Sequence, residues 1–160
     1  MNEVKLVVFD LDGTLVDSDK TVTRILNTIR KDLNLPDLKL KDISFLLSLG
    51  GEEMIKKIIG NELDVKKYLE IFRQRYLEDS LDNENLFDGV INYLKYLESK
   101  NIQMAIFTNK PKDLTEKTLK KHKVYDFFNY IVTSDDVEFK KPSPDGCYKI
   151  IKLSSIPPEN

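Results

Sequence analysis

Asp10 and Asp12 stand directly after the apolar run of "KLVVFDLDGTLVDS", with Asp17 close behind. Residues two apart on an extended chain point the same way, so Asp10 and Asp12 can face one small volume. Their charges repel there unless a cation or a shared proton relieves them. A hard divalent ion suits such a pocket. Mg²⁺ takes one or two carboxylates, retained waters and a substrate phosphate, about what this short acidic turn offers, so phosphate chemistry is the leading reading. Gly13 permits a sharp exit from the strand that would bring backbone N–H groups toward a phosphate. The Thr14 hydroxyl can support the turn or an acid.

These groups must be positioned by the elements around them. The blocks at 6–9, 104–107 and 130–132 lack polar alternation and read as parallel strands buried on both faces, placed in one sheet. Between the first two lies a long interval of helical period. Val22, Ile25, Leu26, Ile29 and Leu33 form one stripe, and Val65, Tyr68, Leu69, Phe72 and Tyr76 a second. Shorter candidates at 43–49 and 54–59 flank Gly50 and Gly51, giving an all-helical insertion of about four helices of ordinary length. A further helix follows, with Asp88 as its cap and Val90, Ile91, Leu94 and Leu97 inward. Short strands alternating with helices define an α/β chain. Ligands of open parallel sheets bind at the carboxyl ends of strands, where Asp10 stands.

At 160 residues and 41% hydrophobic content the chain can bury a core of about one domain, with room for a subdomain. The 25 basic and 27 acidic residues leave a net charge of −2, so no global field recruits nucleic acid or an acidic membrane. No signal-peptide core and no run long enough to cross a bilayer is present, and the expected location is cytoplasmic. Cys147 and His122 are single and cannot build a disulfide, a zinc cluster or a Cys/His dyad. Cys147 reads as a small packing residue and His122 as a solvated one.

"VVFDLDGTLVDS" resembles the first motif of the haloacid dehalogenase (HAD) superfamily, an apolar strand followed by Asp-x-Asp-Gly-Thr-Leu/Val. The resemblance extends to the phosphoglycolate phosphatase-like branch, with a Rossmann-like core at 1–17 and 85–160 and a helical C1 cap at 18–84. It implies that Asp10 is a nucleophile forming an aspartyl phosphate and that Asp12 is the general acid and base. It also implies Mg²⁺ held by the Asp10 carboxylate and the Asp12 main-chain carbonyl. Thr108, at the end of "MAIFT", matches the second motif, a hydroxyl donor to the phosphoryl group. Asn109 adds an amide beside it, and the next helix offers its N-terminal amides. Lys141, ahead of Pro142, Ser143 and Pro144, matches the lysine that neutralises nucleophile and phosphate, and Lys140 is its solvated neighbour. Asp17 either belongs to the branch's pattern or caps the following helix. Gly50 and Gly51 either form a substrate-selecting loop or a plain turn. Asp135 and Asp136 read as loop and cap residues reaching Lys141, with substitution as metal ligands the alternative.

The implied activity is Mg²⁺-dependent hydrolysis of a small phosphorylated metabolite. The alternatives are phosphoryl transfer of the β-phosphoglucomutase kind and a noncatalytic binding fragment. No strand ending in paired acids follows Lys141, where the family places a fourth motif beside its first strand. The core is therefore expected to be incomplete at its C-terminus, leaving residues 6–9 as an apolar edge that self-associates or is covered by another segment.

Overall fold

The structure is a computed structural model that describes residues 3–40, 46, 50–60 and 62–158. The first half runs β1 (Leu6–Phe9), β2 (Val16–Asp17), α1 (Asp19–Asp32), α2 (Gly51–Ile59) and α3 (Val65–Glu78). Then come β3 (Asn85–Leu86), α4 (Val90–Ser99), β4 (Gln103–Phe107), α5 (Lys112–Lys121), β5 (Tyr130–Val132) and α6 (Asp145–Ser154). The chain divides into two compact units, Met1–Val16 with Leu86–Asn160, and Asp17–Asn85.

In the first unit β1, β4 and β5 form a parallel sheet in the order β1-β4-β5, with Leu6 opposite Gln103 and Phe9 opposite Ile106. The central strand is apolar on both sides because it is covered on both. Met104 and Ile106 join Leu94, Leu97 and Leu119 in one cluster, while Ala105 and Phe107 join Val132 and Ile150 in another. The expectation of burial on both faces fails for β1. It is an edge strand, and Val8 is 42% exposed.

Gly146, in the first turn of α6, lies on the Phe107 ring. A Cβ there would stand 2.2 Å from ring atom Cε2 and 2.4 Å from Cζ. Alanine improves helix propensity over glycine by about 1 kcal/mol, but overpacking a core costs about 1–3 kcal/mol, and a contact this short favours the larger penalty. Gly146→Ala is therefore expected to lower the urea midpoint of unfolding. An unchanged midpoint would show that the ring yields freely.

Two expected caps are corrected. The residue before α4 is Gly89, at φ 86°, not Asp88. A left-handed turn enters that helix, and glycine adopts it without steric penalty. Asp17 is drawn into β2, so Ser18 precedes α1.

In the second unit the α1 stripe buries Val22, Ile25, Leu26 and Ile29, and Leu33 lies just past the helix end. Asp64 caps α3 by accepting from the Lys67 amide at 3.1 Å, and Phe72 and Tyr76 are its buried residues. The Tyr76 hydroxyl donates to buried Glu84 at 2.6 Å. The helix expected at 43–49 lies, apart from Leu46, outside the described residues. Gly50 precedes α2 at φ 82°, and a Cβ on Gly51 would stand 2.9 Å from Leu69 Cδ1. Among the described residues no helix is long and apolar enough to cross a membrane.

Candidate active site

The first unit brings its chemistry to the carboxyl ends of three neighbouring strands. Asp10 follows β1, Thr108 follows β4, and Lys141 stands on the loop between β5 and α6. Lys141 Nζ lies 2.7 Å from Asp10 Oδ1 and donates to the Phe107 carbonyl at 3.0 Å. Asp10 Oδ1 also accepts from the Leu11 amide at 2.7 Å. The Asp10 side chain is 43% exposed, so a solvent-borne reactant can meet it. Thr108 is buried, and its Oγ1 accepts from the Lys110 amide at 3.1 Å, which leaves the hydroxyl hydrogen to donate elsewhere.

Asn109, expected beside the anion, is engaged with the lysine loop. Its Oδ1 accepts from the Lys141 amide at 2.9 Å and its Nδ2 donates to the Lys141 carbonyl at 3.2 Å. An amide side chain matched to both main-chain groups of one residue fixes where that residue stands. The Gly13 amide donates to the Val16 carbonyl at 2.9 Å, closing the acidic turn instead of pointing outward, and Gly13 takes φ 77° to do so. Thr14 is exposed and its amide donates to Leu11 within the same turn.

Asp12 brings a residue that sequence reasoning missed. Lys110 Nζ stands 2.9 Å from Asp12 Oδ1, with only 7% of the lysine side chain exposed and 23% of the aspartate's. The two neighbouring carboxylates are thus each matched by an ammonium, Lys141 for Asp10 and Lys110 for Asp12. The signal lies in the strand register. Carried past the strand ends, it brings Asp12 abreast of Asn109, one residue before Lys110, which becomes visible once β1 is paired with β4.

The acids of "TSDDV" have other partners. Asp135 Oδ2 accepts from the Lys112 amide at 2.9 Å, so the first amide of α5 already faces an acid. Asp136 pairs with Lys149 at 3.1 Å rather than with Lys141. Burial pushes the Asp136 carboxyl up, but hydrogen bonds from the Thr133 hydroxyl and amide, with Lys149, outweigh it and hold the group below its ordinary value. Lys140 is exposed. Cys147 is also exposed, because its helix turns Gly146 to the core, so the packing expectation is corrected. His122 is half-buried at the end of α5 and not fully solvated. Gly50 and Gly51 belong to the second unit.

The donor chemistry here fits Mg²⁺. The carboxylate of Asp10 and the main-chain carbonyl of Asp12 are hard oxygens on an open turn. Among the described residues no group of three or more His, Cys, Asp or Glu side chains is assembled for a metal. One carboxylate and one carbonyl are the partial donor set that an ion retaining several waters takes from a protein.

With strand ends, acid pair and lysines in place, the comparisons define the class. The family described as "Haloacid dehalogenase-like hydrolase" matches residues 7–160, and the chain belongs to it. The chain is 30% identical over 161 residues to the phosphoglycolate phosphatase of Pseudomonas syringae pv. tomato, covering 96% of this chain and 59% of that protein. It is 29% identical over 156 residues to the enzyme of that name from Aquifex aeolicus, covering 98% of this chain and 73% of the relative. In fold it resembles CbbY from Rhodobacter sphaeroides, solved with phosphate, at a TM-score of 0.84 and 21% identity, over 98% of this chain and 75% of that one. The chain therefore spans about three fifths of the length of the Pseudomonas relative.

Proposed function

We propose that this chain carries the phosphoryl-transfer machinery of a Mg²⁺-dependent phosphomonoesterase acting on a small phosphorylated metabolite, of which phosphoglycolate is the first candidate. The observation that carries the reading is the Lys141–Asp10 pair at 2.7 Å, which joins the end of β1 to the loop after β5 across β4, beside a second carboxylate. The curated relatives named phosphoglycolate phosphatase support the choice of first substrate.

In this reading an Asp10 carboxylate oxygen attacks phosphorus and the ester P–O bond breaks. Asp12 gives its proton to the departing alkoxide. Asp12 then takes a proton from a water molecule that attacks the aspartyl phosphate. The Asp10–phosphorus bond breaks, inorganic phosphate leaves and the nucleophile is restored. The Lys141 ammonium offsets the charge that Asp10 shares with the phosphoryl group, and the Thr108 hydroxyl donates to a phosphoryl oxygen. Mg²⁺ would be held by the Asp10 carboxylate and the Asp12 main-chain carbonyl, and when bound would add further neutralisation of phosphoryl charge. Selection of the leaving group is assigned to the helical unit.

A phosphate-release screen over small phosphate esters, with and without Mg²⁺, tests the proposal. Release that depends on Mg²⁺ is expected. An isomerised sugar phosphate in place of free phosphate would instead indicate a mutase. Asp12→Ala should slow release from alkyl phosphates by about 10²–10⁴-fold, the usual contribution of a positioned acid. It should affect the first-turnover burst of p-nitrophenolate far less, because that phenoxide leaves with little need of a proton, whereas the later hydrolysis of the aspartyl phosphate slows for both esters. Equal losses in the first-turnover transfer from both esters would remove Asp12 from the acid's role.

A further inference from the structure

The Lys110 side chain is an expensive one to bury. A lysine with only 7% of its side chain exposed loses most of the hydration of its charge, and such residues are rarely covered unless a partner compensates. A methionine would fill similar space without that penalty. The ammonium is therefore there for what it faces, Asp12 Oδ1 at 2.9 Å.

The backbone beneath it is held from several directions. The Lys110 amide donates to Thr108 Oγ1 at 3.1 Å, and its carbonyl accepts from the Ser134 amide at 3.3 Å and from the Thr115 hydroxyl at 3.4 Å. A lysine so anchored presents its charge from a fixed base, unlike a surface lysine that samples many rotamers. Asp12 stands on a turn whose tip, Gly13 and Thr14, is open to solvent and whose backbone is closed on itself through the Leu11 and Val16 carbonyls, so it is the Asp12 side chain that the ammonium fixes. It also stands two residues from Asp10, whose negative charge would turn it away from the shared volume.

We propose that Lys110 is a positioning residue, which holds the Asp12 side chain beside Asp10, within reach of the groups that exchange protons with it. The proposal deepens the phosphomonoesterase reading and rests on it for its kinetic arm. No bond to substrate is assigned to Lys110; it acts through Asp12 alone.

That restriction gives the test, a double-mutant cycle with Lys110→Met and Asp12→Ala. With Asp12 present, Lys110→Met is expected to slow first-turnover transfer from an alkyl phosphate at least about tenfold while changing the first-turnover burst of p-nitrophenolate little, since only the alkoxide needs the proton, and to slow the later hydrolysis of the aspartyl phosphate from either ester. In the Asp12→Ala background the same substitution should change neither rate appreciably. Lys110→Arg, which keeps charge but not shape, should recover part of the loss. Equal losses in the first-turnover transfer from both esters, or an undiminished loss without Asp12, would overturn the proposal and make Lys110 a substrate ligand or a purely structural residue.

A second cycle, read by urea unfolding, needs no activity. Asp12→Ala should raise the unfolding equilibrium constant at least about tenfold when Lys110 is present, because it removes the anion that faces a covered ammonium, and much less when position 110 is methionine. Additive effects in this cycle would show that the pair does not hold Asp12 and would overturn the proposal. If instead the coupling is present and no ester yields phosphate, the failure lies with the phosphomonoesterase reading, because the pairing itself has then been demonstrated.

Discussion

Asp10→Asn is expected to reduce phosphate release at least about a thousandfold while leaving the fold intact, the order of loss seen when a covalent nucleophile is removed. An amide nitrogen or oxygen is a poor nucleophile toward phosphorus and cannot form the acyl phosphate. The substitution is nearly isosteric, and the side chain is 43% exposed, so no core contact depends on the lost charge. The variant also leaves Lys141 with a neutral partner, and that ammonium retains the Phe107 carbonyl at 3.0 Å. The measurement is phosphate release with a matched far-UV spectrum and an intact-mass check for deamidation back to aspartate. Activity near the parent's, in protein whose mass confirms asparagine, would end the aspartyl-phosphate mechanism.

Lys141→Met should reduce release by about 10²–10³-fold, the usual scale for a single electrostatic stabiliser of developing charge. Methionine preserves the length and much of the apolar stem, which lies against the Phe107 ring with Nζ 5.4 Å from its centroid. What it removes is the charge between Asp10 and an arriving phosphoryl group, leaving two anions to approach each other unaided. Arginine is not expected to rescue the loss. A planar guanidinium cannot take the place of a compact ammonium that meets Asp10 Oδ1 and a main-chain carbonyl together. Full activity of the methionine variant would move the neutralising role elsewhere.

The strands were legible because burial leaves a plain mark. Residues 6–9, 104–107 and 130–132 are continuous apolar runs, and each lies in a strand of the sheet. The α1 and α3 stripes were legible for the same reason, since core contact selects every third or fourth residue. The helix entries were less so. Asp17 and Asp88 are good capping residues by type, but the first is taken by a short strand and the second is displaced by Gly89, whose backbone freedom decided where α4 begins. The exposure of Val8 is not written in the apolar run itself, which does not say whether its strand is central or at an edge; it agrees with the expectation of residues 6–9 as an edge, which came from the family resemblance.

At the site, Asp10 was legible as an acid where an apolar strand ends, and Thr108 and Lys141 through their resemblance to the family's second and third motifs. Asn109 and Lys110 could not be given their observed partners that way. Asn109 reaches a loop 32 positions on, and Lys110 an acid 98 positions back, and pairings of that range exist only through the sheet register. Both residues had been passed over for the roles they occupy: the first was read as a phosphate donor, and the second stood unremarked in "TNKPK".

Four successive residues at the end of β4 fix the rest of the site. Phe107 supplies a carbonyl to Lys141, Thr108 accepts from the backbone of Lys110, Asn109 grips the Lys141 main chain, and Lys110 meets Asp12. Length changes in the polypeptide between β1 and β4, or between β4 and Lys141, leave this stretch in register with its neighbours so long as the strands still pair. A single residue added or deleted within 107–110 has no such latitude. It would turn alternate side chains to the opposite side and separate both lysines from their acids in one step. Tolerance to insertion in this chain is therefore set by whether a change falls inside those four positions, far more than by its size.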